Sequence, residues 1–195
     1  MEKLIYLQYN SLPNELCDEI IEMFENDTTL KYEGIVAKGL IKEIKDTTDL
    51  LIPDNDTWNK ILEVLKKELH RNLSLYIKSL RTDLKDYSIF SSNFLYENSF
   101  QIQRYIKNVG KYIYHHDHDI RFEQKDHRVI TYLWYLNDVE EGGETEIWGN
   151  IKIKPERGKL LLFPSSWTFP HSGLMPKSHN KYIITGWLYE GKMTL

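Results

Sequence analysis

The feature that most constrains the fold is a series of short β-rich segments that occupies the chain from residue 100 onward. Turn-forming pairs such as Gly142-Gly143, Gly149-Asn150 and Pro164-Ser165 separate these segments. The candidate strands are 100–106, 111–115, 128–136, 144–148, 151–154, 159–163 and 181–189. Because no helical pattern lies between them, the series predicts antiparallel sheets folded as a jelly roll, and it disfavours a parallel sheet with crossover helices.

The first hundred residues carry helical patterns instead. Ser11 precedes a segment in which Leu16, Ile20 and Phe24 recur at helical spacing, so a first helix is predicted there. A longer helix is predicted after residues 54–56, where the side-chain oxygens of Asp-Asn-Asp can cap its first turn. Its apolar stripe consists of Trp58, Ile61, Leu62, Leu65, Leu69, Leu73, Tyr76, Ile77 and Leu80. Such a stripe indicates a scaffold helix packed on a sheet.

The remaining N-terminal segments give weaker patterns. A short strand is predicted at 4–8, and the stretch 27–53 is predicted to be loop with one strand. Since the chain has 195 residues and domains average roughly 150, one domain spanning 1–195 is expected. The predicted class is α+β, with a jelly-roll (double-stranded β-helix) core at 99–190 buttressed by a helical part at 1–98.

Composition narrows the classes of partner. The 25 lysines and arginines are outnumbered by 29 aspartates and glutamates, which gives a net charge of −4 and no basic field for a nucleic-acid backbone. No apolar run reaches the roughly 18 residues of a membrane helix. The single cysteine, Cys17, cannot form an internal disulfide. We therefore expect a soluble, cytoplasmic protein that binds neither nucleic acid nor membrane.

Histidines concentrate in the segment 112–119, which reads Tyr-Ile-Tyr-His-His-Asp-His-Asp. In an extended strand alternate side chains share a face, so one ion could be chelated by His115 with Asp117. The opposite face could equally pair His116 with His118, and these residues alone do not decide between the two registers. A third ligand is available downstream at His171.

Two imidazoles and one carboxylate form a ligand set with open positions left on the ion. Such a set suits non-haem Fe(II) oxygenases, in which the iron must bind further reactants. Zinc with a bound water is the alternative on ligand type alone. The His-Glu-x-x-His motif that would place a general base for hydrolysis is absent from the sequence.

Lys181 opens the last predicted strand in an unusual position. Strand alternation places it on the same face as Ile183, Thr185 and Trp187. Because lysine is almost never fully buried without a partner, either this face is wet or Lys181 meets an anion in a partly closed pocket.

The stretch 128–145 carries the most specific motif of the chain. It reads Arg-Val-Ile-Thr-Tyr-Leu-Trp-Tyr-Leu-Asn-Asp-Val-Glu-Glu-Gly-Gly-Glu-Thr, and Pro-Glu-Arg-Gly at 155–158, Leu-Leu-Phe at 161–163, His171, Lys181 and Trp187 follow in order. This order resembles the prolyl 4-hydroxylase-like branch of the 2-oxoglutarate and Fe(II)-dependent dioxygenases over 100–189. The family also has an aromatic residue three positions before its first ligand histidine, which matches Tyr112 before His115 and favours the first register.

The resemblance implies a role for several residues. His115, Asp117 and His171 are similar to the iron ligands of the family. Lys181 resembles the cation that pairs with the far carboxylate of 2-oxoglutarate, and Tyr105 and Thr145 resemble residues that hydrogen-bond the same cosubstrate. Positions that line the peptide site of the family correspond to Tyr112, Arg128 and Trp187. No arginine follows His171, which separates the chain from nucleic-acid demethylases of the superfamily.

The activity implied by the resemblance is hydroxylation of a prolyl residue in a peptide or protein. The cofactors implied are Fe(II), 2-oxoglutarate as cosubstrate and O2, with ascorbate as a supporting reductant, and the products include succinate and CO2. Two alternatives stay open at this point. One is hydroxylation of another residue or a free small molecule, and the other is a binding module that senses metal or 2-oxoglutarate.

Overall fold

The computed structural model describes residues 2–80 and 95–191, which form two α-helices, one short 3-10 helix (Glu2–Leu4) and fourteen strands. The helices are α1 (Asn14–Asn26) and α2 (Asp56–Leu80). The strands are β1 (Tyr6–Gln8), β2 (Tyr32–Glu33), β3 (Lys45–Asp46), β4 (Thr48–Leu51), β5 (Leu95–Glu97), β6 (Gln101–Tyr105), β7 (Lys111–His115), β8 (Ile120–Arg121), β9 (Asp126–Tyr135), β10 (Thr145–Ile147), β11 (Ile151–Ile153), β12 (Leu160–Pro164), β13 (His171–Gly173) and β14 (Lys181–Gly191).

The strands form two sheets in which every pairing is antiparallel. The larger sheet runs in the order β1-β12-β9-β14-β6-β4-β2, with β5 also paired to β14 and β8 to β9. The smaller sheet runs β11-β10-β13-β7-β3. Apart from the pairs β10-β11 and β8-β9, strands that follow one another in the sequence are separated in both orders, as in a jelly roll. The predicted α+β fold with a jelly-roll core is confirmed.

Two hydrophobic clusters lie on opposite faces of the larger sheet. On the outer face, Trp134, Leu162 and Ile184 pack with the apolar stripes of α1 and α2. On the inner face, Leu133, Phe163 and Ile183 pack against the smaller sheet. Alternate residues of the same strands belong to different clusters, because successive side chains of a strand point to opposite faces. The helices therefore support the sheet from behind, and the functional side chains lie between the sheets.

The helix starts are determined by local chemistry. The backbone N–H of Trp58 donates to the side-chain oxygen of Asn55 at 3.2 Å, so the predicted cap of the longer helix is confirmed. The first predicted helix is confirmed as α1, which begins after Pro13 without a side-chain cap bond, so Ser11 precedes the helix and does not cap it. Ser11 is buried, and its hydroxyl accepts hydrogen bonds from Trp134 and Asn72. Neither described helix is apolar enough over sufficient length to cross a bilayer.

The stretch 27–53 differs most from expectation. It contains three short strands, β2, β3 and β4, where the sequence predicted a loop with one strand. These strands have two to four residues, too few for a periodic pattern, and β3 and β4 pair with strands that lie far away in the sequence. β3 pairs with β7 with Lys45 opposite Tyr112, while β4 pairs with β6 with Asp49 opposite Gln103. The chain thus crosses from one sheet to the other between β3 and β4.

Candidate active site

Three side chains with metal-binding atoms meet where β7 and β13 pair. His115 ends β7 and lies opposite His171, the first residue of β13, while Asp117 follows just after β7. One ligand atom from each of the three lies within 4.8 Å of the others, and no other such group occurs in the described residues. The Nε2 atoms of His115 and His171 lie 3.7 and 3.4 Å from the carboxylate oxygens of Asp117. His116 and His118 are outside this group.

Both histidines are oriented by a backbone carbonyl. Nδ1 of His115 contacts the carbonyl oxygen of Ile113 at 2.8 Å, and Nδ1 of His171 contacts that of Phe169 at 3.0 Å. A carbonyl can only accept, so each Nδ1 carries the hydrogen and each Nε2 lone pair faces Asp117. Burial, reinforced by the neighbouring His171, lowers the pKa of His115 to about 4. The His115 imidazole is therefore neutral near pH 7, as metal binding requires.

Asp117 is held as a carboxylate although it is buried. Burial by itself would raise its pKa, but His171, His115 and the hydroxyl of Thr131 together hold the pKa below its usual range. The Thr131 hydroxyl donates to Oδ2 at 2.7 Å and also pairs with Ser165 at 3.0 Å. The indole N–H of Trp187 lies close enough to lower the same pKa without reaching hydrogen-bond geometry. The donor set of two imidazoles and one carboxylate therefore fits a divalent iron ion.

A cavity of about 600 Å³ opens beside these three side chains and is lined by every residue that the sequence singled out for the site. Lys181 is 1% exposed in its wall. Its Nζ donates to the carbonyl oxygen of Gly143 at 3.0 Å and lies 3.8 Å from the centroid of the Tyr105 ring. No carboxylate of the described residues is within ion-pair distance of Lys181, and burial lowers its pKa to about 7. A buried amine without a counter-ion fits a ligand that brings its own carboxylate.

Two hydroxyls lie near Lys181 in the cavity wall. The Tyr105 hydroxyl donates to Oε1 of Gln103 at 3.2 Å. The Thr145 hydroxyl oxygen accepts from Tyr135 at 2.7 Å, which leaves the hydrogen of Thr145 available to a ligand oxygen. Both residues are nearly inaccessible from outside, at 3% exposure.

The three residues predicted to contact a peptide lie around the metal-binding group. The Tyr112 ring stacks on the His115 ring at a centroid distance of 3.5 Å. The Arg128 guanidinium lies 3.6 Å above the Trp187 ring and 3.5 Å from a carboxylate oxygen of Asp119. These contacts hold the Arg128 side chain flat against the indole.

Sequence reasoning missed a buried polar group in the part of the cavity wall where β3 and β4 meet. Lys45 Nζ donates to Asp49 Oδ2 at 2.6 Å, and Thr47 donates to Oδ1 of the same carboxylate at 2.7 Å. Gln101 and Gln103 also donate to Asp49, at 3.2 and 3.5 Å. Burial raises the pKa of Asp49 against the opposing effect of the Lys45 ammonium. Lys45 and Asp49 stand four apart in a stretch without a pattern, so no sequence signal identified them.

A jelly roll whose two sheets hold a His-Asp-His group beside an open cavity defines a mononuclear non-haem metal centre with free coordination positions. Residues 100–189 match the family model described as the 2OG-Fe(II) oxygenase superfamily. This matched segment, just under half of the chain, is similar to that superfamily, and the resemblance to its prolyl 4-hydroxylase-like branch is confirmed by the relatives that follow.

Curated relatives come from Arabidopsis thaliana. The chain is 29% identical over 154 residues to a protein named "Probable prolyl 4-hydroxylase 3". This alignment covers 64% of the chain and 53% of that protein. It is 26% identical over 220 residues to "Probable prolyl 4-hydroxylase 7", covering 95% and 62%. The chain thus spans about half to three-fifths of the length of these relatives.

Solved structures share the fold. The viral collagen prolyl hydroxylase of Paramecium bursaria Chlorella virus-1, in its 2-oxoglutarate complex, superposes with a TM-score of 0.66 at 22% identity, covering 95% of this chain and 96% of that one. A prolyl hydroxylase from Trichoplax adhaerens, solved with a peptide fragment of the hypoxia inducible factor, gives 0.69 at 22% identity, covering 96% and 84%. At this identity the likeness establishes the jelly-roll fold.

Proposed function

We propose that the protein is an Fe(II)- and 2-oxoglutarate-dependent dioxygenase that hydroxylates a prolyl residue in a peptide or protein. The observation that carries the proposal is the coexistence, in one cavity, of a His-Asp-His group and a buried lysine that has no counter-ion among residues 2–80 and 95–191. The first suits iron with open positions, and the second suits a cosubstrate with a free carboxylate. The relatives' names supply the prolyl part of the proposal.

Each residue has a proposed task. Nε2 of His115, a carboxylate oxygen of Asp117 and Nε2 of His171 hold the iron, while Thr131 fixes the orientation of the carboxylate. Lys181 anchors the far carboxylate of 2-oxoglutarate through a charge-assisted hydrogen bond. When bound, iron and cosubstrate supply the oxidative decarboxylation that splits O2, placing one oxygen atom in succinate and the other on the substrate carbon, with release of CO2.

The remaining cavity residues position the reactants. The hydroxyls of Tyr105 and Thr145 are proposed to bind cosubstrate oxygens next to Lys181. Tyr112 and Trp187 offer flat apolar surfaces for a pyrrolidine ring, and Arg128 is held rigid by its stack on Trp187. Because the site lies between the sheets, the walls exclude bulk water from the reacting atoms.

Ascorbate is proposed as the reductant that keeps the iron ferrous, and leaving it out of the assay tests that role. A cytoplasmic location is also proposed, supported by Cys17, a buried free thiol that needs no oxidising compartment. Fractionation of cells that express the tagged protein tests the location.

The test of the activity is an assay with Fe(II), ascorbate, 2-oxoglutarate and a proline-rich peptide library, analysed by mass spectrometry. The expected result is a gain of one oxygen on proline with stoichiometric succinate. Oxygen added only to other residues would refute the prolyl assignment and keep the oxygenase. Cosubstrate consumption that no peptide stimulates, without any oxygenated product, would refute hydroxylation of a peptide.

A further inference from the structure

The part of the cavity wall where β3 and β4 meet carries a second buried cation, Lys45. Lys45 is 5% exposed and lines the cavity, while its counter-ion Asp49 is fully buried behind it. Lys45 lies on β3 of the smaller sheet and Asp49 on β4 of the larger one, so the ion pair joins the two sheets where the chain crosses between them. Buried ion pairs contribute little net stability, because the cost of desolvation offsets their attraction. Stability alone therefore does not account for the Lys45–Asp49 pair.

In this part of the cavity wall the hydrogen-bond acceptors already have partners within the protein, whereas among the described residues some of the donors do not. Asp49 accepts from Lys45, Thr47, Gln101 and Gln103, so its two oxygens are well supplied. The amide oxygens of Gln101 and Gln103 are also engaged: that of Gln101 accepts from Gln103, and that of Gln103 accepts from Tyr105. The acceptors of the wall are thus used within the wall.

The donors are not used up in the same way. An ammonium has three N–H groups, and within the described parts of the chain Lys45 uses one, toward Asp49. The Tyr32 hydroxyl accepts from Gln101 at 2.7 Å, and among the described residues its own hydrogen has no acceptor. Tyr32 also lines the cavity and is 37% exposed at its mouth. Toward the cavity, this wall therefore presents hydrogen-bond donors.

A proline-rich peptide segment complements these donors, because its backbone offers mainly hydrogen-bond acceptors. Proline contributes a carbonyl oxygen but no N–H, so the backbone around an X-Pro bond is rich in acceptors and poor in donors. We propose that Lys45 and Tyr32 form a binding site for the main-chain carbonyl oxygens of the prolyl segment that enters the cavity. This inference rests on the proposed function and assigns the wall along which the substrate backbone lies.

The cation beside Tyr112 supports this placement. Lys45 Nζ lies 5.4 Å from the centroid of the Tyr112 ring, and that ring stacks on His115. A backbone bound by Lys45 therefore passes next to the metal-binding group. A side chain on that backbone can then reach the metal centre across the Tyr112 face.

The test uses decaproline as the probe and four variants of the full chain loaded with metal and 2-oxoglutarate. Lys45→Met removes the donor, and Tyr32→Phe removes the hydroxyl at the exposed mouth. Asp49→Asn breaks the same ion pair while keeping the Lys45 donors. The double variant Lys45→Met with Asp49→Asn avoids leaving an unpaired carboxylate buried, in case Lys45→Met does not fold.

The KM for decaproline should rise about tenfold or more in both variants that lack Lys45, and about threefold in Tyr32→Phe, with little change in the Kd for 2-oxoglutarate. Asp49→Asn should bind decaproline within about threefold of the wild type. A purely structural ion pair would instead make Asp49→Asn and Lys45→Met equivalent, and that result would overturn the inference.

Direct calorimetric binding of decaproline to the Mn(II)-loaded protein separates this inference from the proposed function. If decaproline binding depends on Lys45 but no oxygen is added to proline, the result would support the proposed carbonyl-binding role of Lys45 and would refute prolyl hydroxylation. Hydroxylation of proline with an unchanged KM in Lys45→Met would support the proposed function and refute the role of Lys45. Absence of decaproline binding to the wild type would overturn the inference.

Discussion

Lys181 allows a sharp test of cosubstrate binding because its amine is only partly protonated in the free protein near pH 7. Burial lowers the pKa of its amine to about 7, so near neutral pH about half of the molecules carry a neutral amine. A carboxylate that binds beside the amine favours the ammonium form and raises this pKa. Binding of 2-oxoglutarate should therefore take up a proton, and the affinity should fall as pH rises above 7.

The size of the effect follows from the protonated fraction. With a pKa of about 7 that fraction falls from about one half at pH 7 to about 3% at pH 8.5, so the Kd should rise about 15-fold over this interval. At pH 8 the uptake should approach 0.9 proton per cosubstrate bound, roughly the deprotonated fraction at that pH. The nearby Tyr105 hydroxyl does not interfere, because burial raises its pKa well above the usual value.

Isothermal calorimetry with the Mn(II)-loaded protein, in phosphate and in Tris, measures both the Kd and the number of protons taken up. In Lys181→Met the Kd at pH 7 should be about 10- to 100-fold weaker, the pH dependence should vanish, and no proton should be taken up. Lys154→Met, at an exposed position, is the matched control and should behave like the wild type. A wild-type Kd that changes less than about threefold from pH 7 to 8.5, or the same slope in Lys181→Met, would refute the reasoning.

Three further predictions concern the metal centre and the sheet. Thr131→Val removes the donor to Asp117 and should weaken Mn(II) binding about 10- to 100-fold in a metal titration, whereas Thr131→Ser should retain it; equal loss in both would mean that the hydroxyl is not responsible. Asp117→Ala should abolish succinate formation and His116→Ala should leave most of it, and the reverse would mean that the other histidine register binds the metal. A Cβ at Gly186 would lie 2.2 Å from the hydroxyl of Tyr132, so Gly186→Ala should destabilise the fold by about 2 kcal/mol or more in thermal unfolding, and an unchanged Tm would contradict the packing described for β14.

The elements that the sequence predicts best are the long ones. The alternation along β14 places Lys181 and Ile183 on one face and Ile184 on the other, and the two hydrophobic clusters divide as this pattern requires. The apolar stripe of α2 is buried from Trp58 to Tyr76 as predicted, and its last members, Ile77 and Leu80, are partly buried. In both cases many residues repeat one period, so the signal accumulates within the segment itself.

Short elements and distant pairings escape such reasoning. β13 has three residues, and the pair His171-Ser172 between Pro170 and Gly173 gives no strand pattern, so the position of His171 opposite His115 follows only from the sheet register. Local periodicity also left open whether His115 or His116 faces the metal site, and the family resemblance favoured His115. In the sequence, Lys45 and Asp49 resemble ordinary surface charges. They are buried because β3 and β4 belong to different sheets, which bring the two side chains together.

The hydrogen bonds that Ser11 accepts from Trp134 and Asn72 connect the N-terminal segment, α2 and the outer face of the larger sheet at one buried point. If the strand-rich part of the chain (99–190) were exchanged between relatives, these hydrogen bonds would be lost unless the helical part (1–98) were exchanged as well. We expect functional chimeras to require the transfer of both halves together, and homologous recombination within this chain to be tolerated in surface loops such as the one between α1 and β2. The two halves should then diverge in step, each limiting the substitutions that the other can accept.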